Sequence, residues 1–247
     1  MATSKPETFS LARRVMAEAI GTCLLLATVV GSGIMGETLS PGNTGIALLA
    51  NTVATGAVLV ALISTFGAIS AHFNPAVTLS FAAQGEIAWR DVPFYILAQT
   101  VGAFVGVAAA NLMFQKAIFF VSHKARQGNA QLFSEFVATF GLLSIIWGCS
   151  RLRSTVIPFT VGAYITAAYW FTSSTSFANP AVTLARTASD TFAGIRPTDA
   201  SGFILAQLTG AAAATALWRW LVPVLPTTAH DALVSPGATS EATLEEL

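Results

Sequence analysis

The chain has 247 residues, of which 54% are hydrophobic and 10% charged, with a formal net charge of zero. Soluble domains carry about 25% charged residues, so this composition cannot cover a soluble globule of 25.7 kDa. A soluble enzyme, a disordered tail and a nucleic-acid binder are excluded, the last because phosphate backbones demand a basic excess.

Charge is absent from residues 45–85, 92–115 and 154–185. Such runs exceed the roughly 20 apolar residues that span a bilayer. In chain order the sequence predicts six transmembrane helices, at 13–34, 44–67, 92–114, 131–150, 156–172 and 200–222. The first follows a basic pair, Arg13 and Arg14, as a signal peptide would. Its apolar stretch is too long for a signal core and contains Glu18, so it reads as a retained span. Cys23 and Cys149 sit inside apolar runs and read as small hydrophobes; no Cys/His metal spacing is present. Residues 115–130, with Lys116, His123, Lys124 and Arg126, read as a solvated loop between two halves. Residues 223–247 turn polar and read as a flexible tail, and residues 1–10 read as an N-terminal cytoplasmic tail.

Two apolar pieces, 74–84 and 179–188, are too short to cross alone, and each begins Asn-Pro-Ala-Val-Thr-Leu. Other segments repeat too: Glu18 is echoed by Glu135, and Ala98-Gln99 by Ala206-Gln207. The offsets are 117, 105 and 108 residues, in one order, which marks an internal duplication. Each half has three full spans, and an odd number inverts the second half relative to the first. The fold class is therefore an all-α membrane protein with an inverted-topology repeat, six spans and two re-entrant half-helices. With the N-terminus inside, Lys and Arg divide seven inside to five outside, favouring cytoplasmic termini.

Asn is a favoured helix N-cap and Pro a favoured first residue. Asn74-Pro75 and Asn179-Pro180 should each start a half-helix within the membrane. Capping uses the Asn side-chain oxygen and leaves its amide NH₂ free to donate. The lead-in 172–176, rich in Ser and Thr, offers hydroxyls and carbonyls where irregular backbone lines a cavity. Inversion brings the two N-termini together near the midplane. Their positive dipole ends repel cations, and the Asn amides donate to a passing oxygen. A small neutral hydroxylated solute can pass where an ion cannot.

Two Asn-Pro-Ala motifs (Asn74, Pro75, Ala76 and Asn179, Pro180, Ala181), Glu18, Glu135 and His72 resemble the aquaporin and aquaglyceroporin family over residues 11–222. The resemblance implies a right-handed bundle forming one channel domain, with half-repeats at about 11–115 and 131–222, and a homotetramer in the plasma membrane. It implies that Glu18 and Glu135 hold the loops before the half-helices, with His72, Gln99 and Gln207 as structural buried polar groups. Gly102 and Gly106 permit close helix approach.

Most members carry Arg three residues after the second motif's Asn, in the narrowest ring; this chain has Val182. Alignment to the family adds Ser176, Thr55 or Ala54, and Ala167 or Tyr169 to that ring. Such a ring is wide and uncharged. Arg186, one turn beyond Val182, either restores a positive group at the outer vestibule or extends to the membrane interface, and the second is expected. Val182, the run Thr183-Leu184-Ala185-Arg186 and residues 191–197 resemble a bacterial branch associated with arsenic resistance. That branch implies arsenite, As(OH)₃, as a permeant, with methylated arsenicals or glycerol, besides water. The competing readings are a water-selective pore, a glycerol facilitator and an ion-coupled secondary transporter. No cofactor, metal or catalytic group is expected; the partners are small neutral solutes and the lipid bilayer.

Overall fold

The computed structural model describes residues 9–222. The expected tail at 223–247, and all but the last two residues of that at 1–10, lie outside the described residues. Within them every regular element is helical: α1 (Leu11–Leu39), α2 (Thr44–Phe66), α3 (Pro75–Ala83), α4 (Val92–Met113), α5 (Asn129–Leu152), α6 (Ile157–Phe171), α7 (Pro180–Arg186) and α8 (Pro197–Leu221). A 3₁₀ turn, Ser154–Val156, leads into α6.

Five helices, α1, α2, α4, α5 and α8, are long and apolar enough to cross a membrane. The remaining expected span, α6, has 15 residues, about 22 Å at ~1.5 Å per residue. It stops at Phe171 because Thr172 turns to extended backbone, ψ 137°, and begins the approach to α7. The two short pieces are the half-helices α3 and α7, each starting at the proline of the repeated motif.

The packing repeats as the sequence does. α1 lies on α4 as α5 lies on α8, and α1 meets α2 as α5 meets α6. Each half-helix contacts the last helix of both halves: α3 touches α4 and α8, and α7 touches α8 and α4. The pairs α2–α6 and α3–α7 join equivalent elements across the two halves. This all-α inverted repeat, with six bundle helices and two half-helices, is the expected fold class.

Apolar burial cannot drive helix association where the surroundings are also apolar, so close packing of small residues does. On α4, Leu97, Val101 and Val105 face outward, while Gly102 and Gly106 face α1. A Cβ at Gly102 would lie 2.3 Å from the Ala19 carbonyl oxygen, and one at Gly106 2.2 Å from that of Cys23. Gly210 meets the Phe136 carbonyl of α5 in the same way, at 2.4 Å. Both cysteines are free and half-buried.

These approaches admit no side chain. Gly102→Val should cost about 1–3 kcal/mol or more, the usual range for overpacking, and lower the thermal midpoint in detergent. An unchanged midpoint would show that α1 and α4 can separate without loss.

Candidate channel pore

The site is built where the two half-helices begin. Asn74 and Asn179 share the extended backbone of an N-cap, with φ −158° in both. The side-chain oxygen of Asn74 accepts from the Ala76 N–H at 2.9 Å. That of Asn179 accepts from Ala181 at 3.0 Å and Val182 at 3.2 Å. The residue before each Asn is left-handed, with φ 51° at Phe73 and 49° at Ala178. Non-glycine residues adopt this conformation only where their surroundings over-determine it.

Two buried carboxylates provide that constraint. Glu18 accepts from the His72 and Phe73 N–H groups at 2.8 and 2.6 Å. Glu135 accepts from Phe177 and Ala178, both at 2.9 Å. Each also takes an amide proton from the last long helix of its half: Gln99 to Glu18 at 2.8 Å, Gln207 to Glu135 at 2.7 Å. The same glutamine nitrogens donate to Thr78 and Thr183, both at 2.8 Å. A fully buried carboxylate is tolerable only when hydrogen bonds replace its water. Both acids are 0% exposed and meet that condition. Sequence reasoning missed Thr78 and Thr183, although both stand in the repeated hexapeptide. His72, expected to be buried, is half-buried instead, because its ring faces a central cavity.

The asparagine amides are not left entirely free. Asn74 donates one N–H to the Ala178 carbonyl, and Asn179 one to that of Phe73, each at 2.7 Å. These bonds cross-stitch the two half-helices. Each NH₂ retains a second proton, and both asparagines line the cavity.

That cavity holds about 130 Å³, room for several waters at roughly 10–15 Å³ of probe volume each. Leu25, Val29, Leu142 and Ile146 form part of an apolar wall, pairing at the same 117-residue offset as the two glutamates. Thr55, Tyr169, Ser176 and Val182 all line it. Ala54 is only half-buried and Ala167 is exposed, so the cavity-facing residues of α2 and α6 are Thr55 and Tyr169. The Tyr169 hydroxyl donates to Thr55 Oγ1 at 3.3 Å. Ser176 Oγ is buried without a partner among the described residues.

One expectation fails here and another holds only in part. Arg186 does not extend to the membrane interface: it is 2% exposed and lines the cavity. Its Nε donates to the Ala193 carbonyl, and its guanidinium carbon lies 3.4 Å from the centre of the Phe177 ring. Residues 115–130 are largely exposed, as expected of a solvated loop, but Ser122 and Arg126 within it are buried. Phe120 and Ser122 donate backbone bonds to Ala188 and Thr187 at 3.0 and 2.9 Å, and Arg196 donates to Lys124 at 2.8 Å. The segment thereby folds onto the chain that follows α7 and carries Arg126 inward.

Arg126 was legible only as a loop charge, yet its guanidinium also lies over Phe177, at 4.8 Å. It donates to the carbonyls of Gly194 at 2.9 Å and Ser174 at 3.0 Å. Burial pushes its pKa down to about 10, against the attraction of Glu135 and Tyr169. Lys124 reaches the Phe192 carbonyl at 2.6 Å. Burial, with Arg126 and Arg186 close by, brings its pKa down to about 8. One end of the cavity is thus strongly electropositive.

An inverted helical repeat whose half-helices meet at a central cavity defines a multi-pass membrane channel. The family profile described as Major intrinsic protein matches residues 5–176, and the chain belongs to that family of aquaporin and aquaglyceroporin channels for small solutes. It is similar to the aquaglyceroporin AqpS of Rhizobium meliloti (strain 1021), 54% identical over 215 residues, covering 87% of this chain and 92% of that one. It is 37% identical over 145 residues to aquaglyceroporin-3 of Trypanosoma brucei brucei, covering 55% of this chain and 46% of the other. The X-ray structure of the aquaglyceroporin from Plasmodium falciparum shares the fold, with a TM-score of 0.61, 18% identity, and coverage of 90% of this chain and 99% of that one.

The carboxylate clamp makes a direct prediction. Glu135→Ala strands the Phe177 and Ala178 N–H groups, at about 1–3 kcal/mol each. The thermal midpoint in detergent should fall by about 4–24 °C, at roughly 2–4 °C per kcal/mol, and solute flux should collapse. A midpoint within a degree or so of the parent's would mean that Glu135 does not hold the lead-in.

Proposed function

We propose that the chain is a passive channel for small uncharged hydroxylated solutes larger than water, with As(OH)₃, methylated arsenicals and glycerol as permeants beside water. The observation that carries this reading is Val182, an apolar residue that lines the cavity together with Thr55, Tyr169 and Ser176. At a ring made of these four side chains a neutral polyol meets hydroxyls and a short apolar wall. The 54% identity to a protein named an aquaglyceroporin supports the same solute class. Within that reading Asn74 and Asn179 donate to the passing oxygen, and Thr55, Tyr169, Ser176 and Val182 form the selectivity ring. Ion exclusion rests on the paired half-helix N-termini and on the positive groups at the Arg186 end. On the family pattern and the Lys/Arg distribution, we infer a homotetramer in the plasma membrane with cytoplasmic termini. The Arg186 end then opens outward as the vestibule.

A water-selective pore is the second reading, favoured by a specific observation. Tyr169 and Arg186, bulky groups able to fill the lumen, both line the cavity. The Tyr169 hydroxyl reaches across to Thr55, linking two of the proposed ring positions.

Reconstitution in liposomes decides between them. Water, glycerol and As(OH)₃ should all equilibrate faster than in protein-free vesicles. Water flux with glycerol and As(OH)₃ excluded would overturn the wide-ring reading in favour of the second. Val182→Arg should reduce glycerol and As(OH)₃ flux by about tenfold, an added barrier of about 1.4 kcal/mol, while water is spared. Equal glycerol flux in the variant and the parent would show that residue 182 does not set the ring.

A further inference from the structure

Arg186 is a buried cation facing a cavity, and its geometry differs from that of its neighbour Arg126. Arg126 is committed to the fold: its nitrogens donate to Gly194, Ser174, Phe192 and Thr175. Arg186 has one side-chain hydrogen bond, from Nε to Ala193. Its two terminal amino groups have no partner among the described residues, although the side chain is 2% exposed and lines the cavity. No carboxylate lies within 4 Å of either guanidinium among the described residues. The nearby acid, Glu135, is already occupied by two backbone N–H groups and Gln207.

The repeat shows why this position points inward. At the 105-residue offset of the motif, Arg186 is equivalent to Phe81, and Phe177 to His72. In the first half the Phe81 ring packs on the His72 ring, with centroids 4.5 Å apart, and both line the cavity. In the second half the guanidinium of Arg186 packs on the Phe177 ring at 3.4 Å. The inverted repeat thus builds the same stacked pair at each end of the cavity, aromatic at one end and cationic at the other. An unpaired charge held at membrane depth by a stack and one carbonyl is a costly arrangement, and such residues mark permeation pathways.

We propose that Arg186 is the charge-selecting residue of this channel, one helical turn from the position that the chain leaves apolar. Phe177 fixes the plane of the guanidinium, Ala193 fixes its Nε edge, and Arg126 anchors the lead-in that carries Phe177. The free edge turns two donors toward the lumen, offering hydrogen bonds to the oxygen of a neutral solute and repelling a sodium ion. Phe177 and Arg126 are positioning residues. Charge selection is thereby separated from ring width, which Val182 and its neighbours set. The proposal rests on the channel reading, not on the identity of the permeating solute.

The test is sodium flux into liposomes, measured beside water flux for the parent, Arg186→Gln and Arg186→Lys. Recovery as a monodisperse particle in detergent serves as the check on folding. The sodium-to-water permeability ratio should rise at least tenfold in Arg186→Gln and stay near the parent's in Arg186→Lys, which retains the charge. A folded Arg186→Gln that excludes sodium as tightly as the parent overturns the proposal. If Arg186→Gln does not fold, Val182→Glu takes its place, with Val182→Gln as the uncharged control. A carboxylate four residues before Arg186 pairs with the guanidinium along the helix. Val182→Glu should then admit more sodium than Val182→Gln, and equal sodium exclusion in the two would overturn the proposal. Failure of glycerol to enter parent liposomes tells against the solute reading above and leaves this comparison intact.

Discussion

Backbone that leaves a helix at membrane depth loses the water that would satisfy it, and the rest of this structure depends on how that deficit is met. Two segments, 71–74 and 173–179, run inward without i→i−4 helical hydrogen bonds. Glu18 and Glu135 meet the N–H groups of the residues just before each asparagine. With those N–H groups fixed, Phe73 and Ala178 are held in the left-handed region. Their carbonyls then accept from the opposite asparagine. A single buried acid in each half therefore sets the direction of a half-helix, the crossing bond at the centre and the orientation of the donors in the lumen.

The same clamp separates structural charge from functional charge. Glu135 keeps its charge and attracts the cations near it, but its oxygens are committed to Phe177, Ala178 and Gln207. Among the described residues no carboxylate lies within 4 Å of the Arg186 or Arg126 guanidinium, so neither is held in an ion pair. Arg126 and Lys124 add to it, each bonded to carbonyl oxygens instead of acids. Carbonyls satisfy donors without cancelling charge. The local potential is thus a product of how the segment after α7 folds, since Phe192, Ala193 and Gly194 supply those oxygens.

Much of this was legible in the sequence because it is encoded locally or by repetition. The Asn-Pro caps specify where α3 and α7 begin, whatever surrounds them. The duplicated Glu, Gln and motif positions specify the clamp, because each half independently supplies an acid, an amide and a cap. The clamp's threonines were equally present, as the fifth residue of the hexapeptide, but nothing local distinguishes a clamp hydroxyl from a solvated one. Arg186 was misread because its direction is set by partners outside its helix: the Phe177 ring and the Ala193 carbonyl. The 105-residue offset that pairs Arg186 with Phe81 carried the signal, since a phenylalanine there has no charged end to draw to an interface. Residues 115–130 have the composition of a surface loop and are mostly exposed, but the burial of Arg126 within them was not legible, because long-range backbone pairing with 187–196 decides it. The choice of Thr55 over Ala54 and Tyr169 over Ala167 depends on helix rotation, which tertiary packing decides.

Duplication explains how the bundle closes, and divergence between the copies explains how it can discriminate. Residues that hold the frame stay paired: Glu18 with Glu135, Gln99 with Gln207, Thr78 with Thr183. Residues at the two ends of the cavity do not. His72 and Phe81 occupy one end, Phe177 and Arg186 the other. A symmetric frame can meet its hydrogen-bond requirements twice with one solution, so selection has little reason to alter either copy. The ends face different compartments and are free to differ. A positive group at position 186 leaves the N-cap, the crossing bond and the carboxylate contacts in place, because these are made at Asn179, Phe177 and Ala178. On the reading proposed above, the ring is left to choose by size and hydrogen bonding, and the mouth to choose by charge.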